Sequence, residues 1–349
     1  MNTTLFTTLY LTSPANSGRP TSGQVQVDAS QSPVAGGRAL VLGGGGSAGN
    51  AWLIGVVAGL FEAGLDVTQA ELIIGTSAGA TAAAQLSSAN PLQLLADILT
   101  ATPQQRRSAA PGQRMSAAPQ QGGSALAQRR TGAGESNAAR PPRVDHLRRT
   151  SEIIAASQGP ADMRRRLGAS ALEIDAASDG SWSTQWRATV AARLPSQDWP
   201  QQLLHITAVD ARTGQPVVFD RHSGVDLADA IAASTASGPP YAIGDSRYID
   251  GGYRRSSENA DLAAGYERVL VLSPFGGRSR APEEWNMQLA AQVDELQAGG
   301  STVETILPDT NALEAFGTNM MDLSRRLPAA QAGYDQGKAT ADHLTTFWR

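Results

Sequence analysis

Two glycine-rich runs, each entered straight from a short apolar segment, constrain this chain more than any other feature. Arg38-Ala39-Leu40-Val41-Leu42 leads into Gly43-Gly44-Gly45-Gly46-Ser47-Ala48-Gly49, and Glu71-Leu72-Ile73-Ile74 leads into Gly75-Thr76-Ser77-Ala78-Gly79. Short apolar runs stopped by glycine read as buried strands. Between them, residues 51–63 place Trp52, Val56 and Leu60 on one helical face with Leu53 and Val57 beside them, and Gly64 stands where a helix C-cap belongs. The small side chains of residues 78–84 open a second helix that can pack closely beneath the turn. The unit is strand, loop, helix, strand, serine turn, helix. Right-handed crossovers of this kind build a parallel sheet, so the fold class expected is α/β, with helices on both faces.

The second run has the form G-x-S-x-G, in which a serine sits on a sharp strand-to-helix turn and the flanking glycines admit neighbouring backbone. Ser77 is therefore the candidate nucleophile. Serine chemistry also needs donors for a developing oxyanion, and Gly44, Gly45 and Gly46 offer successive N–H groups at the start of the 51–63 helix. The same run satisfies G-x-G-x-x-G through Gly44, Gly46 and Gly49, so a dinucleotide site is the rival reading. Such a site wants an acid at the end of the second strand to bond the ribose, and that strand ends in Gly75-Thr76-Ser77. Asp66 and Glu71 fall before it or at its start.

The base is less obvious. His146 lies in or beside a low-complexity stretch, His205 begins a strand, His222 sits in a turn and His343 is on the last helix. The order Ser77, Asp250, His343 fits an α/β-hydrolase triad, but the elbow of those enzymes follows several strands, and Ser77 follows the second. Asp250-Gly251-Gly252 by itself is a common turn or cap sequence. A glycine loop after the first strand, a G-x-S-x-G serine at the next elbow and a later D-G-G, in that order, resemble the patatin-like phospholipases. The resemblance spans roughly residues 38–345. It implies a three-layer patatin-like fold and a serine lipid acyl hydrolase without histidine, in which Ser77 and Asp250 form the dyad and Gly44, Gly45 and Gly46 the oxyanion hole. It implies no cofactor and no metal. Two stretches depart from the family: Ala48 stands where many members carry Arg or Lys in the glycine loop, and residues 232–240 match the site-lining Ala-Ser…Pro segment only loosely. A protein that keeps the fold but binds or scaffolds, with weak catalysis, is the alternative that Ala48 supports.

Composition sets the remaining bounds. A chain of 349 residues with 41% apolar residues can build one large α/β domain. There is no cysteine, which excludes thiol nucleophiles and disulfides, and Lys338 is the single lysine, which leaves Schiff-base chemistry one candidate. Residues 1–37 read as a poorly ordered leader and 38–349 as a single domain. No run of about 18 apolar residues exists to span a membrane, and no basic residue precedes the mildly apolar residues 5–11 as a secretory signal would require. A soluble, cytoplasmic protein is expected. Residues 101–150 interrupt the domain with Gln, Ala, Ser, Gly and Pro and carry nine Arg against Glu135 and Asp145. That local +7 in a chain of net charge −4 reads as a solvated flexible insert, or as an arm for peripheral contact with an anionic membrane surface. It has no aromatic residues for base stacking, so no nucleic-acid partner is expected. Trp182 and Trp186, four residues apart, are expected to pack inward.

Overall fold

In a computed structural model that describes residues 34–101 and 142–349, the first apolar run lies at the centre of the sheet. It belongs to β1 (Val34–Leu42), flanked by β2 (Leu72–Gly75) and β7 (Tyr266–Leu272), both parallel to it. Residues 39–42 are fully buried, because helices cover both faces of the sheet. The remaining strands are β3 (Leu203–Asp210), β4 (Pro216–Phe219), β5 (Tyr241–Ile243), β6 (Ser246–Asp250) and β8 (Thr302–Ile306). Their order is β5-β6-β3-β2-β1-β7-β8, with β4 also paired to β3. The five strands β3, β2, β1, β7 and β8 run parallel, and β4, β5 and β6 form an antiparallel edge. Leu42 pairs with Gly75 on one side and Leu272 on the other, so three loops leave the carboxyl edge of the sheet at one level. The candidate site is built there.

The helices are α1 (Gly46–Glu62), α2 (Ala78–Leu86), α3 (Pro91–Thr100), α4 (Pro142–Ala155), α5 (Pro160–Ala176), α6 (Ser181–Ala191), α7 (Leu227–Ser234), α8 (Leu289–Ala298), α9 (Thr310–Phe316) and α10 (Arg326–Trp348). Alternation along the strands sorts the core. Leu40, Leu42, Ile73 and Leu270 pack against α1, α2 and α10, whereas Ala39, Val41, Ile74 and Val271 pack against Leu289 and Leu296 of α8. Helices α1 and α10 meet backbone to backbone. A Cβ at Gly55, Gly59, Gly333 or Gly337 would overlap the carbonyl oxygen of Ala330, Tyr334, Trp52 or Val56 respectively.

One expected boundary moves. β1 begins at Val34, inside the stretch read as a leader, because Val34 pairs with Tyr266 ahead of a register shift before Arg38. Residues 1–33 of that stretch, and 102–141 of the basic insert, lie outside the described residues. Residues 142–176 form two helices and not one. Pro160 at the first position of α5 has no N–H to continue α4 and starts a new helix instead. Asn286, with a left-handed φ of 50°, separates a 3₁₀ turn (Glu283–Trp285) from α8. Ala260–Ala263 form a further 3₁₀ turn. Among the described residues, no helix is long and apolar enough to cross a membrane.

Candidate active site

Ser77 stands between the end of β2 and the start of α2 with φ 53° and ψ −115°. That conformation costs a non-glycine residue about 1–3 kcal/mol and persists only where its surroundings impose it. Here they do. A Cβ at Gly79 would overlap the Leu42 carbonyl oxygen, and one at Gly75 would sit 2.6 Å from Ala80 Cα, so the two glycines let β1, β2 and α2 converge beneath the serine. The Ser77 N–H donates to the buried Ser234 Oγ at 2.9 Å, which pins the turn to the end of α7.

Asp250 is the last residue of β6, opposite Ala208 of β3. Ser77 Oγ donates to its Oδ2 at 2.8 Å across a sequence separation of 173 residues. Its Oδ1 accepts the Gly252 N–H at 2.8 Å, and its own N–H donates to the Ala236 carbonyl at 2.9 Å. Burial pushes the Asp250 carboxyl from its ordinary 3.8 up to about 6, against the opposing pull of the Gly252 and Ser77 hydrogen bonds. The neighbouring Tyr253 hydroxyl is raised to about 12, by burial first and then by the Asp250 charge.

Of the N–H groups of Gly44, Gly45 and Gly46, one is engaged within the protein. Gly43 donates to the Leu272 carbonyl at 3.0 Å and Gly44 to the Ser257 carbonyl at 2.8 Å, so the Gly44 N–H is already engaged and its Cα faces the Ser77 Cβ instead. The N–H groups of Gly45 and Gly46 have no partner among the described residues, and they open the first turn of α1, where the helix dipole favours negative charge. Gly46 has φ 61°, a left-handed conformation open to glycine. Two residues that sequence reasoning missed brace this arrangement. Glu258, fully buried, accepts the hydroxyls of Ser256 and Ser257, each at 2.7 Å, and of Ser273 at 2.6 Å, and so fixes the loop that engages Gly44. Asn259, at φ 54°, donates through Nδ2 to Thr76 Oγ1 and the Gly251 carbonyl, both at 3.0 Å. Residues beside Ser77 and beside Asp250 are thereby joined through one amide.

This geometry runs from the end of β1 to the turn after β6. The family model of patatin-like phospholipases matches residues 40–264, which takes in the glycine loop, Ser77, Asp250, Glu258 and Asn259. The chain belongs to that family. No curated protein sequence matches at a significant level. Among solved structures, VipD from Legionella pneumophila shares 13% identity over 90% of this chain and 67% of its own, with a TM-score of 0.39. The type III effector protein ExoU shares 19% identity over 89% of this chain and 54% of its own, with a TM-score of 0.31, so this chain spans about half of ExoU.

The other candidates within this patatin-like phospholipase fall outside the site. His343 is exposed and faces Glu304 Oε1 at 3.4 Å, on the α10 side of β8, so no Ser77-Asp250-His343 triad forms. His205 is buried in β3 with its Nδ1 unpartnered and is held below the ordinary histidine pKa by burial. His222 lies in an exposed turn capped by Asp220. Asp210 likewise bonds its own turn, through the N–H groups of Arg212 and Thr213. Glu71, the acid nearest to a ribose partner, is tied to Arg38 at 2.8 Å at the amino end of β2, the opposite edge from the glycine loop, which removes the dinucleotide reading. Trp186 is buried and donates to Thr235 Oγ1, with Trp182 stacked on it at 6.1 Å, so the pair packs inward. Among the described residues no group of three or more His, Asp or Glu could hold a metal ion. Ala48 is buried, and a cation approaches its turn from elsewhere: Arg326 Nη1, at the start of α10, donates to the Ser47 carbonyl at 3.1 Å and Asn50 Oδ1 at 2.9 Å. Burial and then the nearby Arg193 hold this guanidinium down to about 10.

Proposed function

We propose that Ser77 and Asp250 form a catalytic dyad that hydrolyses carboxylic ester bonds of lipids, with the Gly45 and Gly46 N–H groups as the oxyanion hole. One observation carries the reading, the 2.8 Å hydrogen bond from Ser77 Oγ to a carboxylate whose proton affinity burial has raised to about 6. A free aspartate is too weak a base toward a serine hydroxyl at neutral pH, and raising its pKa toward the working pH removes much of that mismatch. Ser77 Oγ bonds to the acyl carbon as its proton passes to Asp250 Oδ2, and the carbonyl oxygen takes up the negative charge at the start of α1. Collapse breaks the ester C–O bond, and the departing alcohol takes the proton from Asp250. Water then attacks the acyl-enzyme, giving its proton to Asp250. Collapse of the second tetrahedral intermediate releases the fatty acid and returns a proton to Ser77. No histidine enters either half-reaction.

The test compares the native protein with Ser77→Ala in hydrolysis of p-nitrophenyl esters of increasing chain length, without added metal, alongside fluorophosphonate labelling. Activity that rises with chain length, and activity and label that both vanish in the variant, are expected. Label and hydrolysis both absent from the native protein would leave a patatin fold used for binding, and hydrolysis unaffected by the substitution would refute the dyad. The +7 charge of residues 101–150 supports peripheral contact with anionic membrane as part of the same reading. Replacing 102–141 by a short neutral linker should then weaken binding to anionic vesicles.

A further inference from the structure

Away from Ser77, a cavity of about 230 Å³ opens between the start of α5, the β3–β4 turn, the loop after Asp250 and the segment before α8. Its lining includes Arg164, Arg254, Arg255, Asp261, Trp285 and Pro216. The volume is below the roughly 300–1,000 Å³ of pockets for drug-sized ligands, so it suits a small polar group rather than an acyl chain.

The charges in it do not balance. Arg254 grips Asp261 with both ends of its fork at 2.9 Å, and Arg255 grips Glu295 at 2.6 and 2.7 Å. Arg164 has no carboxylate partner among the described residues. Its Nε donates to the Gly214 carbonyl at 2.9 Å and its Nη1 to the Arg254 carbonyl at 3.0 Å. Carbonyls satisfy donors but supply no counter-charge, and burial together with the charges of Arg254 and Arg165 holds the Arg164 guanidinium below its ordinary pKa. Behind the wall of the cavity, the Arg254 Nε is buried with no acceptor. An uncompensated guanidinium in a small cavity walled also by Arg254, Arg255, Trp285 and Pro216 calls for an anion. A tetrahedral oxyanion matches the donor geometry of a guanidinium.

We propose that this cavity is a second, non-catalytic site that binds a phosphate group between Arg164 and Arg254. The phosphate comes from a lipid headgroup or from a free phosphate ester in solution. Its occupancy is wired to the acyl-transfer site, because Arg254 Nη1 also donates to Asn259 Oδ1 at 3.2 Å, and Asn259 holds Thr76 and Gly251. Only this coupling rests on the hydrolase reading. Binding itself stands whatever chemistry Ser77 performs.

Titration of the full-length Ser77→Ala protein with inorganic phosphate at constant ionic strength tests the binding, with lipid hydrolysis removed by the substitution. Saturable binding with one site is expected, weakened at least 10-fold in the Ser77→Ala/Arg164→Met protein and partly restored with Arg164→Lys. Equal phosphate affinity with and without Arg164, or no binding, would overturn the proposal. Should Arg164→Met fail to fold, protection of Arg164 from phenylglyoxal by phosphate in the native protein replaces it, and absent protection refutes the site. The source is read from phosphatidylcholine vesicles with and without phosphatidic acid. A headgroup ligand gives sedimentation that falls at least fivefold with Arg164→Met and is competed by phosphate, whereas a soluble ligand gives phosphate binding with no Arg164-dependent sedimentation. In the native enzyme, ester hydrolysis that responds to phosphate and loses that response in Arg164→Met establishes the coupling. A phosphate-insensitive rate despite binding removes it, and hydrolysis that survives Ser77→Ala refutes the dyad and leaves the binding result untouched.

Discussion

Helix α1 belongs to two regions with opposite energetics. Along most of its length it is locked to α10 by paired glycines, with Trp52 Nε1 donating to Gln336 Oε1 as a polar tie. That seam contains no strained residue and no buried charge. At its amino end the same helix enters the carboxyl edge of the sheet, where Ser77 is held at φ 53°, Asp250 is buried with a raised pKa and Arg326 lies within the structure without a carboxylate partner among the described residues. Each of these lowers stability. The contrast teaches that the seam supplies rigidity and the sheet edge uses it, the expected relation between a scaffold and a site that breaks local rules.

The comparison breaks first at Ser77. On the proposed reading, Ser77→Ala lowers ester kcat/KM by about 10⁴-fold or more while leaving the thermal midpoint unchanged or higher, since the hydroxyl would act on substrate and not on the core. An equal loss of stability would put Ser77 on the side of the seam. Asp250→Asn should cost about 10³-fold in kcat/KM and raise stability. The sign follows from linkage: a carboxyl raised from 3.8 to about 6 on folding binds more protons folded than unfolded, so it costs stability increasingly as pH rises from 3.8 to 6 and fully above that. Two pKa units are worth about 3 kcal/mol, an upper bound on the gain from Asn at pH 7 read by urea unfolding. The native kcat/KM should fall about tenfold per pH unit below 6.

Gly59→Ala sharpens the other side. Helix propensity alone favours alanine by about 1 kcal/mol, but the added methyl overlaps the Tyr334 carbonyl, so a net loss of about 1–3 kcal/mol is expected in urea unfolding. A stabilised variant would show that the seam can open. The smallest effect is Arg326→Met, where kcat/KM should fall about tenfold, roughly 1.4 kcal/mol, with the thermal midpoint unchanged or raised by removal of a desolvated cation. A lower midpoint would make Arg326 a structural tie.

What could be read beforehand was what local chemistry dictates. The strand, glycine-loop, helix and serine-turn order is written in residues 38–84, because apolar runs and glycines act within a few positions. Asp250 entered through its place after the other motifs. The engagement of Gly44 depends on Ser257, more than 200 residues further on, and no local signal marks it. Glu258 reads as an exposed acid until three serines from two loops close on it. Asn259 and Asn286 offered only their tolerance of left-handed backbone, which cannot say that one tethers the site and the other ends a helix. The antiparallel edge was half visible: Gly214 marks the turn just before β4, but β5 has three residues and no periodicity to read.

The α1–α10 seam also sets an order in time. The tie from Trp52 to Gln336 spans 284 residues, so a ribosome adding 5–20 residues per second exposes the apolar α1 for roughly 15–60 s before its partner helix is made. Throughout that interval the glycine loop at the head of α1 has no fixed place. The nascent chain is then at its most prone to aggregate, and a holdase that shelters residues 46–62 would govern how much folded protein each message yields.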